Sequence, residues 1–330
     1  MSHALSVDVT IERWPLREPF EIAREVMRDL PLIVATLTDE TGHIGRGEAA
    51  GVDYDGDTPE TMVAAIRSVA HHLRSDTSAD ALNALLPAGG ARNAIDCALW
   101  DLRAKRTGAP ASVAAGLSPL KPVVTAFTIG LGSDDDIRRR ARAATSMPLI
   151  KLKVDANRHI DLVQIVREEH PRARVVIDAN ESWTVDLLQR LIPALVELDV
   201  ELIEQPLPRG NDAALRGVAK TIPIAADESC TDRASLSGLV ELYDVINIKL
   251  DKSGGLTEAL ALAHDARVRG LGVMVGNMCG TSLGMAPAFL VAQLAKWVDL
   301  DGPLLQVGDR EDPMQYRDGL VYAPSRELWG

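Results

Sequence analysis

The chain has 330 residues, enough for one large domain or two ordinary ones. Hydrophobic residues make up 46% and charged residues 25%, a globular composition, and the net charge of -12 argues against a nucleic acid or an anionic membrane as partner. No apolar run is long enough to cross a bilayer, Met1 to Thr10 has no secretory pattern, and Cys97, Cys230 and Cys279 form no framework, so a reduced, cytoplasmic protein is expected.

The first third reads as α+β. Leu5 to Trp14 alternates in part, Leu32 to Thr38 is a β-rich run, and Asp39-Glu40-Thr41-Gly42 supplies a turn into a strand ending near Glu48. Leu16 to Leu30 between them reads as a polar loop, and Gly51 to Asp57 as a second loop. A helix should begin near Thr58, with Pro59 at an early helical position and Val63, Ile66, Val69 and Leu73 on one face. Another should run from about Ala91 to Lys105, with Ile95, Leu99 and Leu102 on one face.

From Pro122 the pattern changes. β-rich runs begin near positions 122, 148, 173, 200, 223, 244, 271 and 297, with helical stretches between them. Val175-Val176-Ile177 and Val245-Ile246-Asn247-Ile248 suit strands covered on both faces. Strands alternating with helices in this number argue for a closed barrel over an open doubly wound sheet, which would want a glycine-rich phosphate loop that this chain lacks. After Asp301 comes Gly302-Pro303 and no ordinary eighth helix. The expectation is a (β/α)7β modified TIM barrel over residues 119–302, an α+β capping domain over 1–118, and a segment over 303–330 that returns to the cap.

Active-site groups of such barrels sit at the C-terminal strand ends. Lys151-Leu152-Lys153 ends strand two, and period-two geometry sends both lysines to the same face. An isolated KxK is more often a surface pair, but the apolar flanks Leu149, Ile150 and Val154 favour an interior one. Asp178, Glu204 and Asp227 end strands three, four and five; one such acid is usually a cap, but three on consecutive strands can converge. Three carboxylates would repel without a cation, and an oxygen-only set without His or Cys points to Mg²⁺. Lys249 ends strand six, across the barrel from Lys153. Two amines facing each other over a metal fit proton removal on one side and return on the other, and like-charged neighbours such as Lys151 would lower a lysine pKa for that work. Asp299 and Asp301 end strand eight on one face; the bland reading is a turn before Gly302-Pro303.

The joint pattern resembles the muconate-lactonising branch of the enolase superfamily, over essentially the whole chain. The stretches Gly89-Gly90-Ala91-Arg92-Asn93-Ala94-Ile95-Asp96, Asp178-Ala179-Asn180-Glu181-Ser182-Trp183, Ala226-Asp227-Glu228-Ser229-Cys230 and Asp299-Leu300-Asp301-Gly302-Pro303 are similar to bacterial L-Ala-D/L-Glu epimerases. The resemblance implies an enolase-like fold, one Mg²⁺, catalysis by Lys153 and Lys249 assisted by Lys151, and a dipeptide substrate. It also implies that Asp299 and Asp301 hold the dipeptide's ammonium and that Arg24, in the first cap loop, reads a glutamate side chain. Cell-wall peptide recycling is the biology implied. Strand seven departs from the family in ending in Gly276-Asn277-Met278-Cys279, next to the expected first-residue pocket. A cycloisomerase or o-succinylbenzoate synthase would share the lysines and metal without needing the aspartate pair. An acid-sugar dehydratase would want a strand-seven His, and a non-catalytic metal-dependent binding protein would need neither lysine. A homo-oligomer is compatible with the sequence.

Overall fold

A computed structural model describes residues 3–21 and 26–330. Its N-terminal part is an antiparallel sheet of β1 (Ser6–Glu21), β2 (Val26–Thr38) and β3 (Ile44–Ala49), in that order. Residues 16–21 and 26–30 are strand, not the polar loop their composition suggests. Phe20 pairs with Met27 and Glu21 with Val26 beyond a register shift after Pro15. This end of the hairpin is largely exposed, so both faces carry polar residues and the apolar alternation that marks a half-buried strand is missing.

The helix at Pro59–Val69 starts as expected. Thr58 and Thr61 form a reciprocal cap, and Met62, Val63, Ile66 and Val69 are buried. A helix at Gly90–Thr107 packs directly on β3. The approach is set by glycine: a Cβ on Gly47 would lie 2.1 Å from the Ala94 carbonyl oxygen, and one on Gly45 2.2 Å from that of Ala98.

β4 (Val123–Val124) leads into the second unit. Eight parallel strands follow: β5 (Phe127–Ile129), β6 (Leu149–Lys153), β7 (Arg174–Asp178), β8 (Val200–Glu204), β9 (Ile224–Ala226), β10 (Val245–Ile248), β11 (Gly272–Val275) and β12 (Trp297–Val298). They pair in sequence order, and the seam is closed where Ala126 N–H donates to Val298 O at 2.7 Å. Ala126, Leu149, Val176, Leu202, Ala225, Val245, Met274 and Trp297 form one buried cluster, a floor layer inside the ring. Alternation then places the residues two positions further on at the upper interior, which is how this sequence delivers Lys151, Asp178, Glu204, Asp227, Asn247 and Asp299 to one level.

Most intervening segments are helical, but two expected helices shrink. Asp212–Gly217 is a 3-10 helix and only Leu236–Leu239 of the next stretch is α. After β12 there is only a four-residue helix, Gly302–Leu305, as the Gly-Pro start foretold. The chain then forms β13 (Tyr316–Arg317) and β14 (Leu320–Val321), which pairs with β4. The residues beyond return to the cap: Trp329 Nε1 donates to Cys97 O, and Gly330 N to Asp101 Oδ1.

Several contacts fix cap on barrel. Glu48 of β3 accepts from Thr281 N at 2.7 Å, from Thr281 Oγ1, and from Arg310 Nη2 at 2.7 Å. Arg92 donates to Ser253 O at 2.7 Å and Gly254 O at 3.2 Å. Asp96 accepts from Thr257 N at 2.9 Å and Thr257 Oγ1 at 2.7 Å, capping the helix Leu256–Val268 from the other unit. No described helix is long and apolar enough to cross a membrane.

Candidate active site

Carboxylate oxygens of Asp178, Glu204 and Asp227 lie within 4.8 Å of one another, fully buried at the ends of β7 and β8 and just past β9. Four lysines surround them. Lys151 Nζ sits 3.1 Å from Asp178, 2.8 Å from Glu204 and 3.0 Å from Asp299. Lys153 Nζ donates to Asp178 Oδ2 at 2.6 Å and to Asn180 Oδ1 at 3.0 Å. On the other side Lys249 Nζ donates to Asp227 Oδ2 at 2.7 Å, and Lys252 Nζ to Asp227 Oδ1 at 2.5 Å. Lys153 and Lys249 both line a cavity of about 400 Å³ under the cap. Its remaining wall includes Phe20, Leu32, Tyr54, Asn180, Met278 and Cys279.

The electrostatics follow from burial. Burial and the neighbouring Asp178 charge push the Glu204 carboxyl up to about 8. Burial would likewise raise Asp178 and Asp227, but Lys153 and Lys151 beside the first, and Lys249 and Lys252 beside the second, hold both below the usual range. Burial alone would lower Lys151 and Lys249. Asp299, Glu204 and Asp178 around Lys151, and Asp227 beside Lys249, outweigh it and hold both ammoniums above the ordinary lysine value. For Lys249 this is opposite to the lowering expected from like-charged neighbours. Lys151 does depress Lys249, but the directly bonded carboxylate of Asp227 acts more strongly.

Three converging buried carboxylates with no His or Cys among them are a hard oxygen set, which suits Mg²⁺. Glu204 fits that role: Asn247 Nδ2 donates to its Oε1 at 2.7 Å, and its buried Oε2, which accepts no hydrogen bond of good geometry, faces the Lys151 ammonium at 2.8 Å.

Asp299 and Asp301 are buried at the seam and differ from each other. Asp299 is paired with Lys151, which opposes the effect of burial and holds it low. Asp301 accepts from Thr128 N at 2.6 Å, but burial and the Asp299 charge push it up to about 8. The two aspartates expected to hold a ligand cation thus start from different surroundings: Asp299 already faces Lys151, and Asp301 does not. Arg24 lies outside the described residues.

Several polar groups of the site were not singled out in the sequence. Asn247 precedes Lys249 by two on β10, so period two alone would have found it. Asn180 follows Asp178 by two, and Lys252 follows Lys249 by one helical turn, inside the short helix Leu250–Ser253. Tyr54 comes from the cap loop, and no local signal ties it to the barrel.

The fold and this constellation define a class of enzyme. Residues 4–115 match the mandelate racemase / muconate lactonizing enzyme N-terminal domain, and residues 136–327 the enolase C-terminal domain-like family. The chain belongs to the mandelate racemase / muconate lactonizing enzyme family of the enolase superfamily. It is 38% identical over 319 residues to the L-Ala-D/L-Glu epimerase of Escherichia coli K12, covering 96% of this chain and 99% of that one. It is 42% identical over 245 residues to an N-acetyl-D-glutamate racemase of a Pseudoalteromonas species, covering 74% of this chain and 78% of that one. Among solved structures, an Agrobacterium tumefaciens enolase family member with homology to dipeptide epimerases, with bound sodium and L-Ala-L-Glu, aligns with a TM-score of 0.96 at 40% identity, covering 99% of this chain and all of that one. A dipeptide epimerase from Methylococcus capsulatus, complexed with Mg and L-Arg-D-Lys, aligns with a TM-score of 0.92 at 30% identity, covering all of this chain and 99% of that one.

Proposed function

We infer that this protein is an isomerase, a dipeptide epimerase that inverts the α-carbon of the C-terminal residue by 1,1-proton transfer, with L-Ala-D/L-Glu as its substrate pair. The observation that carries the reading is the presence of two amines, Lys153 and Lys249, in one cavity, each anchored on a different acid of the triad. Asp178, Glu204 and Asp227 would hold Mg²⁺, which when bound supplies Lewis-acid stabilisation of the charge that develops on the substrate carboxylate. Lys153 takes the α-proton from one face and Lys249 delivers a proton to the other; in the reverse direction the roles exchange. Lys151, kept cationic by its acidic neighbours, stabilises the negative charge formed between the two steps. Asp301 reads the free ammonium of the first residue, and the cap excludes water. Cytoplasmic recycling of cell-wall peptides is the role this chemistry suits.

Arg24 is proposed to read the glutamate side chain. Arg24→Ala should then lower kcat/KM for L-Ala-L-Glu by roughly tenfold to a hundredfold, the worth of a charged hydrogen bond, and spare L-Ala-L-Leu. Equal losses on both substrates would contradict that role.

A second reading is favoured by the proton that burial keeps on Asp301: a protonated carboxyl can donate to an acyl oxygen, as a racemase of N-acylated amino acids would want. Comparing L-Ala-L-Glu with its N-acetyl derivative separates the two. Acetylation removes the ammonium that draws the proton off Asp301, so at least a roughly thirtyfold loss in kcat/KM is expected for a buried charge pair. Comparable rates, or faster turnover of N-acetylglutamate, would transfer the case to the acyl reading.

A further inference from the structure

The two lysines are not held in the same way. Lys153 is the last residue of β6 and lies within the sheet ladder, paired with Asp178, and the next residue, Val154, donates its N–H to Asp178 O. Lys249 lies one residue past β10, whose pairing with β11 ends at Ile248. It opens a tight turn instead, its carbonyl accepting from Lys252 N at 3.1 Å and Ser253 N at 3.0 Å.

That turn is gripped from the cap. Arg92 Nη2 donates to Ser253 O, and its Nε to Gly254 O. Asp96 fixes Thr257 through both carboxylate oxygens, and Trp100 Nε1 donates to Thr257 Oγ1 at 2.8 Å. Asp251, inside the turn, accepts from Gly51 N at 2.9 Å. The glycines of the turn are there to admit these side chains. A Cβ on Gly254 would lie 2.3 Å from Arg92 Nε and one on Gly255 2.5 Å from Asp96 Cβ, at φ values of +78° and +120°. No such cap contact reaches the β6 end among the described hydrogen bonds.

We propose that Arg92 and Asp96 are positioning residues for Lys249 and not for Lys153, so that the cap helix sets the rate of one of the two proton transfers while the barrel sets the other. The inference rests on the two-base epimerase reading. Its consequence is a handed defect: disturbing the helix slows reaction from the diastereomer whose proton Lys249 removes and leaves the opposite abstraction intact.

The test is α-proton exchange in D₂O, followed by ¹H NMR separately from L-Ala-L-Glu and L-Ala-D-Glu. The diastereomer that still exchanges in Lys153→Ala identifies the one Lys249 serves. In Arg92→Ala and Asp96→Ala, exchange of that diastereomer should fall roughly tenfold to a hundredfold, as for a base displaced by about an ångström, while exchange of the other stays within about twofold. The retained exchange also reports that the variant is folded. Asp96→Asn, which keeps an acceptor for Thr257, should recover much of the loss. Equal losses from both diastereomers in all these variants, or no loss from either, would overturn the proposal. No exchange of either dipeptide by the unaltered enzyme would instead overturn the dipeptide reading, and this inference with it.

Discussion

Lys153→Ala and Lys249→Ala should each abolish epimerisation, with a loss of roughly a hundredfold to ten-thousandfold, the usual contribution of a positioned general acid or base. The reason is geometric. The two amines reach the same cavity from β6 and from the end of β10, one bonded to Asp178 and the other to Asp227. Inversion needs a proton to leave one face and arrive at the opposite one, and no other described lysine lines that cavity. Lys252 is fully engaged with Asp227 and Asn247 O, and Lys151 with three carboxylates. Each variant should still exchange the α-proton of one diastereomer with solvent, because one base remains. Near-normal epimerisation by either variant, measured polarimetrically, would end the two-base scheme.

Chelator treatment should abolish activity, and Mg²⁺ should restore it. Asp178, Glu204 and Asp227 crowd their oxygens together in a buried layer, and Glu204 responds by holding its proton up to about 8. A divalent cation relieves that repulsion, so Mg²⁺ should also stabilise the fold. Binding to the native state alone adds about 2.7 kcal/mol at a metal concentration a hundred times the Kd. The thermal midpoint should therefore rise with added Mg²⁺, and Glu204→Gln should blunt the rise. Full turnover after metal removal, or a midpoint indifferent to Mg²⁺, would remove the triad from the metal-site assignment.

Much of this site was legible in the sequence because a barrel strand is read at period two. Once Leu149, Val176, Leu202, Ala225 and Val245 are inward, Lys151, Asp178, Glu204, Asp227 and Asn247 must follow on the same side. What period two cannot show is pairing across the seam. Lys151 and Asp299 are 148 residues apart, and their contact sets Asp299, held low by the lysine, apart from Asp301, which burial and the Asp299 charge push up to about 8. The direction of the Lys249 shift was illegible for the same reason: the sequence shows other lysines nearby in the pattern, whereas the stronger carboxylate, Asp227, arrives from another strand. In the cap, Leu16 to Leu30 hid its strands because neither face of that hairpin end is apolar enough to alternate. The Gly-Ala-Arg-Asn-Ala-Ile-Asp stretch supported the family resemblance, but only the contacts of Arg92 and Asp96 explain what it does.

The Glu48 contact carries a consequence for how the protein comes apart. The carboxyl belongs to the cap, but the groups that satisfy it, Thr281 and Arg310, belong to segments at the other end of the sequence, and Arg310 also pairs with Glu12 and stacks over Trp14. Lifting the cap away would break the bonds of Glu48 to Thr281 and Arg310 and the pairing of Arg310 with Glu12 in one step, with only water to replace them. A half-melted molecule, with its barrel intact and its cap undone, is thereby disfavoured. The two units are bound into one cooperative transition, and heat should take them together.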